Sequence, residues 1–231
     1  MNIEPRYTRR GSLTRFGGLL ATLLGAGGLE AVGAEGRGTG LAAVASGAVR
    51  CVLTPEMTEG PYYIAGEKAR RDITEGRPGV ALQLRLSVVN ASTCAPIKGA
   101  TVDIWHADAS GVYSGFGAGA SSRTFMRGIQ PTDAHGLALF ETVYPGWYQG
   151  RTVHIHVKVH LGGNVVHTGQ LFFPDPLTDV VYERSPYNQR PNRTTRNAND
   201  SIFVNGGSRS MLTLTKNGTG YVGAITMGVQ R

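Results

Sequence analysis

The 231-residue sequence predicts an all-β protein, a single antiparallel β-sandwich. Two observations lead there. The chain from Cys51 onward is a series of short runs in which apolar and polar residues alternate, the period of a half-buried strand. Between them lie turn residues drawn from 33 glycines and 11 prolines that follow no repeat, the punctuation of a sandwich rather than of a helical bundle. No apolar 3.6-residue pattern as long as twelve residues appears in this part.

In order, Leu82, Leu84 and Leu86 alternate with Gln83, Arg85 and Ser87 and define the first strand. Residues 100–106 (ATVDIWH), 137–143 (LALFETV), 152–160 (TVHIHVKVH) and 164–173 (NVVHTGQLFF) follow the same pattern, and 211–215 and 221–227 close the sandwich. Residues 176–201 form a polar stretch too long for a plain connection, which reads as a functional loop or a locally disordered one. The domain is therefore assigned to 51–231.

The residues before it read differently. Arg6, Arg9, Arg10 and Arg15 precede a Gly-rich apolar run, Phe16 to Leu29, which is too short and too weakly apolar for a membrane span. Val32-Gly33-Ala34 offers small residues to a signal peptidase, so 1–34 is expected to be an export signal. Arg9-Arg10 resembles a twin-arginine pair, although Thr8-Arg-Arg-Gly-Ser-Leu-Thr14 lacks a strong apolar residue directly after it. Residues 35–50, rich in Gly and Ala, read as a flexible linker. The expected destination is the periplasm or the exterior. There, Cys51 and Cys94 would either close a disulfide or remain two buried thiols; two isolated cysteines so far apart are no zinc pattern.

The formal net charge is +7, but the basic residues are scattered and do not interleave with aromatics, so a solvated basic surface is favoured over a nucleic-acid interface.

The chemistry centres on His154-Ile-His156. On a strand these imidazoles share one face and can grip one metal ion; the bland alternative is a surface pair on an edge strand. Tyr148 and Arg151 stand just before them, and Tyr113 follows a tight turn after the strand ending in Trp105-His106. Two phenols with two imidazoles suit Fe(III), because a phenolate is a hard anionic donor and imidazole also serves iron. A copper or zinc site built on the histidines alone would leave the phenols without a role.

Five segments carry a resemblance to the intradiol ring-cleavage dioxygenases, a family that includes catechol and protocatechuate dioxygenases. They are Glu59-Gly-Pro-Tyr-Tyr63, Asp103-Ile-Trp-His-Ala-Asp-Ala-Ser-Gly-Val-Tyr-Ser114, Gly128-Ile-Gln-Pro-Thr-Asp-Ala-His-Gly136, Tyr144-Pro-Gly-Trp-Tyr-Gln-Gly-Arg-Thr-Val-His-Ile-His156 and Thr168-Gly-Gln-Leu-Phe-Phe173. The chain looks closest to the compact, exported members. The resemblance implies a β-sandwich binding Fe(III) through Tyr113, Tyr148, His154 and His156. It implies that Tyr148 leaves the metal to act as a general base, that Arg151 sits beside the bound ring and that Gln170 stands next to the iron site. The implied reaction uses O2 to open a catechol-type ring between its two hydroxylated carbons, giving a muconate-type diacid. His106 lies outside this set and is expected to be structural; His135, His160 and His167 also lie outside it, with a remote ligand role left to His160. Tyr62 and Tyr63 either line the pocket mouth or pack against the sandwich. The resemblance leaves open the ring substituents accepted and whether the chain forms a homo-oligomer. The runner-up function is an exported β-sandwich binding domain that keeps the fold without catalysis.

Overall fold

A computed structural model describes Cys51, residues 53–116 and residues 119–230. The leader and linker expected at 1–34 and 35–50 lie outside the described residues.

Eight strands form two four-stranded sheets. They are β1 (Ala81–Asn90), β2 (Thr101–Trp105), β3 (Arg127–Pro131), β4 (Leu137–Val143), β5 (His154–Leu161), β6 (Asn164–Phe172), β7 (Thr213–Asn217) and β8 (Gly220–Val229). One sheet has the order β4-β1-β8-β7 and the other β3-β2-β5-β6. Their facing surfaces carry the alternating apolar residues: Leu82, Leu84 and Leu86 of β1, Val102 and Ile104 of β2, and Ile155, Val157 and Val159 of β5 all belong to one core. At about 25 cal/mol per Å² of apolar surface, this burial is the main term holding the sheets together.

The sandwich is as the alternation predicts, with one difference: β1 and β8 run parallel, Leu82 opposite Tyr221 through Asn90 opposite Val229, while every other strand pairing is antiparallel. Strand β3 was not predicted, because its five residues, Arg-Gly-Ile-Gln-Pro, include Gly and Pro and show no alternation.

The polar stretch 176–201 is structured. Helix α1 (Asp175–Tyr182) opens it, with a proline in its first turn, where no backbone N–H partner is needed, and Asp175 beside the positive end of the helix dipole. Arg193 pairs with Asp175 and Asp179, Asn197 bonds the Phe173 carbonyl, and a four-residue helix, α2 (Ser201–Val204), ends the segment. No helix among the described residues is long and apolar enough to cross a membrane.

Cys51 and Cys94 form a disulfide, with Cα atoms 5.3 Å apart and a sequence separation of 43. Loop closure of that length stabilises by about 4 kcal/mol at most. The double variant Cys51→Ser/Cys94→Ser is expected to melt roughly 10 °C lower, read by differential scanning calorimetry.

Candidate metal and aromatic-ring site

Strand β5 lies between β2 and β6, so its histidines are not at a sheet edge. His154, His156 and Lys158 point away from the sandwich core and are still buried. A strap, residues 56–67, covers that outer face. Glu56 bonds His167 and the Thr168 N–H, Met57 N–H donates to the Thr168 carbonyl, and the Thr58 carbonyl accepts from Gln170 Nε2 at 2.9 Å. Glu59 pairs with Lys158. Beneath the strap, strand register sets one row across the sheet: Arg127 opposite Trp105, Trp105 opposite His156, His156 opposite Gln170. His154 stands in the next row, opposite Phe172.

Two loops bring the phenols to this row. Asp108 Oδ1 accepts the N–H groups of Ser110 and Val112, folding the turn that delivers Tyr113. Gly111 in that turn has φ +76°, and a Cβ there would lie 2.2 Å from the Trp147 carbonyl oxygen, so only glycine lets the two loops meet. In the second loop, Tyr148 and Arg151 flank a tight turn whose Gly150 has φ +84°, which sets both side chains over the histidines.

Nε2 of His154 and Nε2 of His156 lie 3.1 Å apart, and the Tyr148 hydroxyl is 3.2 Å from His154 Nε2. His154 Nδ1 lies 2.6 Å from the Thr152 carbonyl. A carbonyl only accepts, so Nδ1 carries the proton and the Nε2 lone pair faces the site. The Tyr113 hydroxyl and His156 Nδ1 are buried without hydrogen-bond partners. The Tyr113 ring is 5.6 Å from that of Tyr148 and 6.2 Å from that of His156. Burial pushes His154 down to about 3, with Arg151 adding to the effect, and holds His156 well below its usual range, with His154 and Arg151 adding. Burial raises both phenols, Tyr113 well above its ordinary value with Tyr148 adding, while Arg151 opposes the rise of Tyr148. At neutral pH the centre is thus two neutral imidazoles and two protonated phenols, with the Arg151 guanidinium as the neighbouring cation. That donor set fits a hard trivalent metal ion, whose charge would release the phenol protons. Among the described residues no group of three His, Cys, Asp or Glu side chains could hold a metal; this set is half phenolic.

Arg151 donates from Nη2 to Gln170 Oε1 and from Nε to Asp200 Oδ2 at 2.8 Å, with Nη1 3.5 Å from His154 Nε2. All six residues singled out in the sequence therefore meet at one place. Tyr62 both lines and packs: its ring stacks on Tyr113 at 4.3 Å and meets Tyr148 edge-on at 6.1 Å, while Tyr63 packs on Trp105. Trp105 in turn stacks on His156, 4.9 Å between centroids and 7° between planes. His106 is structural: Nδ1–H donates to the Ala107 carbonyl and Nε2 accepts from Thr142, both at 2.8 Å. Asp200 was not foreseen, although an aspartate before the apolar run Ile202-Phe203-Val204 is a helix-cap signal.

The model of the dioxygenase family Dioxygenase_C matches residues 58–181, more than half of the chain. An intradiol ring-cleavage dioxygenase of Tetranychus urticae has a solved structure that superposes with a TM-score of 0.74 at 38% identity, over 78% of this chain and 95% of that one. The chain belongs to the intradiol ring-cleavage dioxygenase family. The dioxygenase domain of a dioxygenase–carbohydrate-binding protein fusion from Streptomyces sp. SirexAA-E superposes with a TM-score of 0.61 at 31% identity, over 77% of this chain and 98% of that one. The catechol 1,2-dioxygenase of Acinetobacter baylyi is 35% identical over 156 residues, 56% of this chain and 50% of its own. The chain spans about half or less of the length of most curated relatives it matches. The paired sheets of this intradiol dioxygenase fold place the phenol–imidazole centre on an outer sheet face, under the strap.

Behind the centre, the strap and sheet enclose three carboxylates, Asp103, Glu59 and Glu67, against two cations, Lys158 and Arg127. One negative charge is in excess, and Asp103, 1% exposed with one oxygen unpartnered, is the most buried of the three. Burial pushes its carboxyl up to about 7, with Glu67 adding and Tyr63 and Lys158 opposing. A raised carboxyl binds its proton more tightly folded than unfolded, so the stability it supports is present at pH 4 and declines as pH rises towards 7, by up to about 4 kcal/mol. Asp103→Asn, which stays neutral, is expected to flatten that decline. Melting temperatures of metal-free protein from pH 5 to 8 check it.

Proposed function

We propose that this protein is an Fe(III)-dependent dioxygenase that inserts both atoms of O2 into a catechol-type aromatic and opens the ring between the hydroxylated carbons, giving a muconate-type diacid. The observation that carries the reading is the convergence of Tyr113, Tyr148, His154 and His156 beneath Arg151, in a chain of this family. Tyr113 Oη, Tyr148 Oη, His154 Nε2 and His156 Nε2 would hold the ferric ion, a hard Lewis acid that would favour the doubly deprotonated, electron-rich catecholate and activate it towards O2.

The protein's own groups then have defined tasks. Tyr148 Oη accepts a proton from a catechol hydroxyl, and Arg151 favours the phenolate form it needs for that. The Arg151 guanidinium lies against negative charge on the deprotonated ring, fixed there before the reaction starts. Gln170 holds Arg151 through Oε1 and the strap through Nε2. The strap and the Tyr62 ring exclude water from the centre.

We also place this activity outside the cytoplasm. The basic, apolar leader and the Cys51–Cys94 disulfide support export.

Turnover of catechol under 18O2 tests the reaction. The expected result is one O2 consumed per ring and both labelled atoms in an acyclic diacid. Cleavage beside the two hydroxyls, or a product carrying a single labelled atom, would contradict the proposal.

A further inference from the structure

We propose that Asp200 is a positioning residue that sets the Arg151 guanidinium over the site, an inference resting on the functional reading above. Its side chain is fully buried and divides its two oxygens between two tasks. Oδ1 accepts the N–H groups of Ile202 and Phe203, at 2.8 and 3.0 Å, and caps helix α2. Oδ2 accepts Arg151 Nε at 2.8 Å and the Thr152 N–H at 2.7 Å. The cap alone needs one oxygen; the second accepts from Arg151 and Thr152, two of the five residues between Tyr148 and His154.

The consequence for Arg151 is geometric. Its guanidinium is planar, and Asp200 and Gln170 hold two of its nitrogens, Nε and Nη2, which leaves Nη1 3.5 Å from His154 Nε2. Gln170 continues to the Thr58 carbonyl, so a chain of hydrogen bonds runs from the α2 cap through Arg151 to the strap over the site. Burial works against the Asp200 carboxylate, yet the N–H groups of Phe203 and Thr152 together with Arg151 hold it below its usual range. It is therefore an anion throughout the working pH range. The polar stretch 176–201 thus delivers at its end the counter-charge of Arg151. Its anchors are Asn197, which accepts from the Thr152 hydroxyl at 2.7 Å, and the Arg193 pairs.

Two substitutions separate positioning from folding. In Asp200→Asn the remaining oxygen can still cap α2, but the amide NH2 then faces two N–H donors, so Arg151 must turn away. Asp200→Ser keeps a helix cap and removes the acceptor of Arg151. In metal-free protein, the Arg151 Nε–H resonance is expected to be resolved and slow to exchange in the wild type, and averaged with solvent in both variants. In iron-loaded protein, both are expected to retain the wild-type iron content and visible band. Their kcat for catechol should fall about 10- to 100-fold, the scale of a displaced catalytic group, with KM changed less than kcat. In an Arg151→Ala background, single-turnover rates should show no further loss on adding Asp200→Asn. Wild-type kcat in Asp200→Asn, or an equal loss in the Arg151→Ala background, would overturn the proposal while leaving the functional reading in place. A wild type that binds iron and cleaves no ring would overturn both.

Discussion

His156→Ala is expected to lose iron and ring cleavage together, with turnover reduced by about 1000-fold or more and iron falling from about one per chain to a small fraction of that. On the proposed reading the imidazole supplies one of four donors, and its Nε2 lies 3.1 Å from that of His154; three remaining donors would leave an incomplete site for a trivalent ion. The same substitution should be mild for the fold. His156 faces away from the sandwich core, its Nδ1 is already unpartnered, and its principal packing contact is the Trp105 ring. Metal-free His156→Ala should therefore melt within a few degrees of metal-free wild type, for a loss of about 1–2 kcal/mol of packing. A purely structural histidine predicts the reverse: a large drop in melting temperature and an unchanged iron content. Metal analysis and calorimetry on the same preparations decide between them.

Tyr148→Phe removes one oxygen and little else. The ring still meets those of Tyr62, Tyr113 and His154, so the loop should keep its shape. What disappears is the oxygen that the proposed function makes both a metal donor and the acceptor of the substrate's proton. A general base contributes about 100- to 10,000-fold, so kcat is expected to fall at least 100-fold. The visible band should weaken, since one of two phenolates has gone, and catechol should still bind because Tyr113, His154, His156 and Arg151 remain. Steady-state kinetics and an anaerobic catechol titration of the variant read both effects.

Much of this was legible in the sequence because it depends on local periodicity. A period of two places Leu82, Leu84 and Leu86 on one face of β1 and His154 and His156 on one face of β5, and the strands are where the alternation puts them. His106, read as structural, is locked to Ala107 and Thr142. What escaped depends on how the strands pack in three dimensions. The parallel pairing of β1 with β8 joins residues more than a hundred positions apart, and alternation says nothing of direction. Strand β3 has no alternation to detect. Taken alone, the His-x-His pair also reads as a surface pair on an edge strand; only the sheet order, with β5 between β2 and β6, and the strap over it show that the histidines are interior. The sequence around Asp200 signals only a helix cap, and its second task comes from contact with Arg151, 49 residues earlier.

Iron analysis with a visible spectrum of the purified protein tests the central claim most directly. The account predicts about one iron per chain and an intense tyrosinate-to-Fe(III) charge-transfer band that shifts when catechol is added without oxygen. A protein that stays colourless after reconstitution with ferric iron would contradict it, and would leave a β-sandwich that keeps the family's fold as a binding domain without its chemistry.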